Sequence, residues 1–216
     1  MSQEPKGFLE NVDSVTKKRI ELCIITFGSG VKIVSEFKNV LDIEEVYLDA
    51  DGASTPMGGG IQTAIKKIEE RKLQYRGNGS EYYRPWIWLI TDGGPTDMGT
   101  REGTYYRVRD DAATDELISN DAIEIQPFFE LWEKVREDLS EGESKKHFVF
   151  FAVGVEGADM GALKELSQPG REPLALQGMK FVEMFDWLSK SISEVSRSHT
   201  GEQIKLSDPS NWGIID

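Results

Sequence analysis

Asp92 follows five residues, Trp86, Ile87, Trp88, Leu89 and Ile90, that are apolar or aromatic without an intervening charge, in the stretch P-W-I-W-L-I-T-D-G-G-P-T-D over 85–97. Such a run reads as a strand buried on both faces of a parallel sheet. In an open α/β sheet, ligands occupy the crevice beyond the carboxyl ends of the strands, so a carboxylate placed there is positioned for a site. The competing reading is that Asp92 starts a turn or caps the next segment. A second set of oxygens comes from Ser54 and Thr55, which precede the Pro56-Met57-Gly58-Gly59-Gly60 turn. There a hydroxyl either caps the free amides of the following helix or is held toward a ligand. A carboxylate and a hydroxyl are hard donors, the kind Mg2+ accepts while it retains several waters. Asp97 is a candidate only for a supporting role in the same loop, and Asp49 and Asp51 read as solvated loop carboxylates.

The elements that must position these groups follow from periodicity. A short amphipathic helix is expected within 2–16, on the spacing of Phe8, Leu9, Val12 and Val15. Ile20 to Phe27 reads as a buried strand, and Gly28-Ser29-Gly30 turns it into an antiparallel hairpin with the strand from Val31 to Phe37, since a parallel partner needs a longer crossover. A helix begins near Pro56 to Gly60, with Ile61, Ala64, Ile65 and Ile68 on one face. After the strand ending at Asp92, residues 98–126 are polar and read as an excursion from the sheet. Phe128, Phe129, Trp132, Val135 and Leu139 mark a helix that ends near Gly142. His147 to Gly154 is a second doubly buried strand. His147 stands at its start, away from the presumed site, and reads as structural or solvated. Ala158 to Leu166 is expected as a short helix and Pro173 to Leu176 as a short edge strand. Phe181, Phe185, Leu188, Ile192 and Val195 mark a helix packed on the sheet. The alternation of strands and helices implies a doubly wound α/β domain, Rossmann-like, with a mostly parallel central sheet and one antiparallel edge strand.

Composition bounds the function. A chain of 216 residues forms one sizeable core. With 25 basic and 38 acidic residues, its formal charge of -13 argues against nonspecific attraction to nucleic acid or an anionic membrane. A cation or a basic surface suits it better. The one cysteine, Cys23, lies inside an apolar run and reads as a small core residue in a reducing compartment. The start of the chain lacks an export signal, and the longest apolar run, Phe148 to Val155, is far short of the roughly 20 residues that cross a bilayer. The expected location is the cytoplasm.

Four segments, in order, carry a family resemblance: I-E-L-C-I-I-T-F-G at 20–28, G-A-S-T-P-M-G at 52–58, W-I-W-L-I-T-D-G-G-P-T-D at 86–97 and H-F-V-F-F-A-V-G-V-E-G-A-D-M at 147–160. Together they resemble a von Willebrand factor A (vWA) domain, in the flavour of the bacterial TerY-like group associated with tellurium resistance and stress response. The segment W-L-S-K-S-I-S-E-V-S-R-S at 187–198 resembles that group as well. The resemblance implies a vWA domain over 1–198, with an inserted loop at about 98–126, followed by a tail over 199–216. It also implies a metal-ion-dependent adhesion site (MIDAS), at which Thr55 and Asp92 match the threonine and aspartate ligands. In that family the metal keeps one position for an acidic side chain of a partner protein, so the domain binds and does not catalyse.

The family's D-x-S-x-S motif does not occur in the chain. Met1-Ser2-Gln3-Glu4-Pro5 resembles the residues that directly follow it, so the first central strand and its ligands are expected to be missing here. Mg2+ is then expected to be held weakly or not at all. Two other readings stay open. Asp49-Ala50-Asp51-Gly52 echoes the D-x-D-G start of haloacid-dehalogenase (HAD)-type phosphohydrolases, in which one aspartate is the nucleophile and the next an acid/base. The chain also reads as a metal-free, degenerate vWA scaffold. The glycine run at 58–60 lacks the Lys-Ser/Thr of a phosphate-binding loop.

Overall fold

The computed structural model describes residues 12–43, 54–99, 126–178, 180–198, 206 and 208–215. The apolar run before Asp92 forms strand β3 of the order that follows. A short helix α1 (Ser14–Lys17) leads into β1 (Glu21–Phe27), which turns through Gly28 and Gly30 into β2 (Val31–Asn39). Helix α2 (Met57–Gly77) precedes β3 (Trp86–Thr91), and α3 (Gln126–Ser144) precedes β4 (Val149–Gly154). Then come α4 (Met160–Leu166), β5 (Leu174–Leu176), α5 (Phe181–Arg197) and β6 (Gly213–Ile215). The chain is an α/β protein whose sheet mixes parallel and antiparallel pairs.

β3 and β4 are paired in parallel without a register shift, from Trp86 opposite Val149 to Thr91 opposite Gly154. Because successive side chains of a strand point to opposite faces, β3 serves two cores. Ile87 and Leu89 pack with Met57, Ile61 and Ile68 of α2, Trp132, Val135 and Leu139 of α3, and Leu163 and Leu166 of α4. Trp86, Trp88 and Ile90 pack on the other face, where Met184, Trp187 and Leu188 of α5 meet them. Helices thus cover both faces, as a parallel strand requires. At the amino ends of these strands, the nearly buried Glu143 carboxylate accepts from Phe150 N at 2.6 Å and from Arg171 Nη1 at 2.7 Å. Arg84 Nη2 donates to the same group at 3.2 Å.

Several expectations need correction. β5 is not an edge: it pairs in parallel with β4 and antiparallel with β6, which closes that side of the sheet. Among the described residues, β1 and β2 form an antiparallel two-stranded sheet of their own, and β6 is the antiparallel strand of the four-stranded sheet β3-β4-β5-β6. The reason lies in Trp212, in the segment read as a tail. Its side chain is fully buried against Trp88 and Trp187, with ring centroids at 6.3 and 5.6 Å, and this anchor brings Gly213–Ile215 alongside β5. β1 was expected to be buried, yet every residue in it is only half-buried. Among the described residues β1 pairs with β2 alone, and a register shift around Cys23 interrupts that ladder. In β2, Val31 and Phe37 are half-buried and Lys32 and Glu36 exposed as the alternation predicts, but Ile33, on the same face as Val31, is exposed.

Of the expected first helix only its end falls among the described residues, and there Val15 is exposed while Thr16 is buried. The Asp13 carboxylate caps this turn, accepting from Val15 N and Thr16 N at 3.0 Å each and from Arg197 of α5 at 2.8 Å. The hydrogen bonds from Thr16 hold the Asp13 carboxyl well below the usual carboxylate range, against burial. That contribution to stability is present above the ordinary aspartate pKa and lost as pH falls below it. Cys23 is half-buried, and burial, with Glu36 nearby, pushes its thiol up to about 11.

Trp212 Nε1 has no hydrogen-bond partner among the described residues, so its side chain is held there by apolar burial and ring contact. Trp212→Ala should cost about 3–5 kcal/mol in urea unfolding, and Trp212→Phe, which keeps an aromatic ring in the pocket, should cost less than half as much.

Candidate functional site

Four loops meet at the carboxyl ends of the strands. The first is the hairpin turn after β1, whose Gly28 carbonyl accepts from Ser54 Oγ at 2.6 Å. The second is the segment before α2. Thr55 N donates to Thr96 Oγ1 at 2.8 Å, and Thr96 N returns a bond to the Thr55 carbonyl at 2.9 Å, so this segment is locked to the third loop, which follows β3. The fourth follows β4, where Val155 N donates to the Thr91 carbonyl at 2.8 Å.

Close approach at two glycines brings the expected site residues together. A methyl group placed on Gly93 would sit 3.0 Å from Thr55 Oγ1. The residue after Asp92 is therefore in contact with the Thr55 hydroxyl. On the other side Gly157, at φ +97°, lies so close that a Cβ would stand 2.9 Å from the Asp92 carbonyl oxygen. Only glycine takes that backbone conformation without strain and leaves that space. Asp92 itself is exposed, and Thr55 is half-buried.

Neither Ser54 nor Thr55 caps α2, whose first residue follows Pro56 with no side-chain cap. The cap comes from a distant loop. Asp97 Oδ1 accepts from Gly58 N at 2.9 Å and Oδ2 from Gly59 N at 2.7 Å, so one carboxylate satisfies two of the open amides at the helix start. The glycine run makes the approach possible: side chains at Gly58 and Gly60 would strike Leu131 and Phe27 at 2.9 Å. Sequence reasoning assigned Asp97 to a supporting loop role but had no signal for its partner, because the two halves of the bond are about forty residues apart. Burial pushes the Asp97 carboxyl above its ordinary range, opposed by the Gly59 and Gly58 amides. Asp159 also reaches the rim. It caps α4 by accepting from Ala162 N at 3.0 Å, while its Oδ2 lies 3.4 Å from where a Cβ on Gly94 would be.

The rim thus brings the segment that carries Thr55 against the backbone just after Asp92, with Asp97 committed to α2. This donor set fits a hard cation in part: two protein oxygens leave the remaining positions to water and to an incoming ligand. Among the described residues, no three of the His, Cys, Asp and Glu side chains form a group that would hold a metal ion. His147 is exposed at the start of β4, at the opposite end of the sheet from the rim. Asp49 and Asp51 of the phosphohydrolase reading, and most of the 98–126 insertion, lie outside the described residues. No helix among the described residues is long and apolar enough to cross a membrane. Compared with protein-family models, with curated proteins and with solved structures, the chain has no match.

If Asp97 is the clamp that holds α2 at the rim, Asp97→Ala should cost roughly 1–2 kcal/mol, the range for loss of a helix cap. A folded pKa raised above the unfolded one means that Asp97 contributes stability below the ordinary aspartate pKa, and that this contribution is lost as pH rises through the folded value. Urea unfolding across the acid range should show that component in the natural chain and not in Asp97→Asn.

Proposed function

We propose that the chain is a non-enzymatic protein-interaction module of the von Willebrand factor A type, with Thr55 and Asp92 as the remaining residues of its adhesion site. The partner offers an acidic side chain at the carboxyl-end rim. Thr55 and Asp92 would hold Mg2+, which when bound supplies a positive charge to which a partner carboxylate is attracted. The observation that carries this reading is the close approach of Gly93 to the Thr55 hydroxyl, which brings together the two loops that hold these donors at the carboxyl ends of the strands.

The supporting roles are consistent with it. Asp97 and Ser54 brace the two loops and leave Thr55 and Asp92 as the rim's outward donors. On a protein with formal charge -13, an acidic partner surface gains little without a bridging cation. We place the module in the cytoplasm, in the TerY-like setting of tellurite and stress response that the motifs resemble.

With two protein oxygens, affinity for Mg2+ is weak, saturating in the millimolar range. Mg2+ at about ten times its dissociation constant should stabilise the natural chain by about 1.4 kcal/mol, a rise in thermal midpoint of about 3–6 °C. Asp92→Ala and Thr55→Ala should both remove the response. An unchanged midpoint in the natural chain, or an equal rise in Asp92→Ala, would overturn the proposal.

A further inference from the structure

Pro56 restricts the residue before it to extended backbone, so the conformation in which Thr55 approaches α2 is set by its own neighbour. What the local sequence leaves open is where that segment sits against the loop after β3. Thr96 fixes it with two bonds of opposite sense: its Oγ1 accepts from Thr55 N at 2.8 Å, and its N donates to the Thr55 carbonyl at 2.9 Å. Both polar groups of the Thr55 backbone are thus tied to one residue, 41 positions away in sequence. Thr55 has a β-branched side chain, whose χ1 is stiff and whose rotamer depends on the backbone beneath it. Holding the backbone therefore holds the hydroxyl. It is held where a Cβ on Gly93 would stand 3.0 Å from Thr55 Oγ1.

We infer that Thr96 is the positioning residue of the rim: its hydroxyl, acting through the Thr55 amide, sets the place of the Thr55 hydroxyl and with it the affinity for Mg2+. The other braces act elsewhere. Ser54 Oγ donates to the Gly28 carbonyl and ties the segment to the hairpin. Asp97 accepts from Gly58 N and Gly59 N, beyond Pro56 and inside α2. Among the described residues, Thr96 alone bonds the Thr55 backbone from another loop. Removing its hydroxyl leaves the bond from Thr96 N to the Thr55 carbonyl and both Asp97 bonds in place, so the change falls on the Thr55 amide. That amide belongs to a half-buried residue, where a donor without its acceptor is costly. Groups that orient a metal ligand from behind typically set affinity by roughly 10- to 100-fold.

The effect on Mg2+ rests on the adhesion-site reading, whereas the hold on the hydroxyl does not, so each is measured separately on the full chain. Without metal, the Thr55 χ1 rotamer is read from NMR couplings to its methyl carbon. The natural chain and Thr96→Ser should show one rotamer, and Thr96→Val an average over several. With metal, the thermal midpoint is followed through an Mg2+ titration. Thr96→Val should need roughly tenfold more Mg2+ for the same rise, and Thr96→Ser should respond like the natural chain. Trp212→Phe, which loosens the other face of the sheet, should keep the natural rotamer and the natural Mg2+ requirement. A single rotamer in Thr96→Val, averaging that Thr96→Ser fails to reverse, the same averaging in Trp212→Phe, or an unchanged Mg2+ requirement in Thr96→Val would each overturn the proposal. Rotamers that separate in a chain that ignores Mg2+ would uphold the hold of Thr96 on the hydroxyl and overturn the adhesion-site reading. Thr96→Ala, which removes the hydroxyl without adding a methyl, takes the place of Thr96→Val if that variant folds poorly.

Discussion

A strand inside a sheet has to place its amide and carbonyl groups on both edges, and among the described residues β3 does so on one edge, where the ladder with β4 is complete from Trp86 to Thr91. On its other side a cavity separates Trp86 and Trp88 from Ile20 to Leu22 at the start of β1, whose residues are all half-buried from Glu21 on. The two fragments stay aligned because other elements span the gap. α2 packs under both, Arg71 of α2 holds Glu21 of β1, and α5 ties to Asp13, Arg19 and Thr16 at the start of the hairpin.

The same bridging builds the rim. Backbone-to-side-chain bonds knit loops that are distant in sequence: Ser54 to the hairpin, Thr55 to Thr96, and Gly58 and Gly59 to Asp97. Glycines at 93 and 157 let the loops close until the Asp92 backbone is in contact with its neighbours on both sides. Interaction sites are commonly placed on loops that a rigid scaffold positions, and here the scaffold's hold is concentrated in a few carboxylate and hydroxyl bonds.

Much of this was legible in the residues. Continuous apolar runs named β3 and β4, helical spacing named α2, α3 and α5, and the glycine turn named the hairpin, because each signal is local. That the loops around Thr55 and Gly93 meet followed from the rule that strand ends share one rim. What could not be read was long-range. Trp212 lies in the segment read as a tail, since nothing local shows that Trp88 and Trp187 await it. Pro173 to Leu176 looked like an edge because β6 is three residues long and lacks a pattern of its own. The cap of α2 went to Ser54 or Thr55 on proximity in sequence, whereas Asp97 holds the better geometry from across the fold. The alternation of β2 held at Val31, Lys32, Glu36 and Phe37 and missed the exposure of Ile33.

The meeting of the two loops at Thr55 and Gly93 is tested most directly by a crosslink. Gly93 would place a Cβ 3.9 Å from the Thr55 Cβ, within the separation of about 3.5–4.5 Å that a disulfide spans. In a Cys23→Ser background, Thr55→Cys with Gly93→Cys should close an intramolecular disulfide under mild oxidation while the chain stays folded. Two thiols that remain free in the folded, oxidised protein would contradict the shared rim on which the Asp92 site depends.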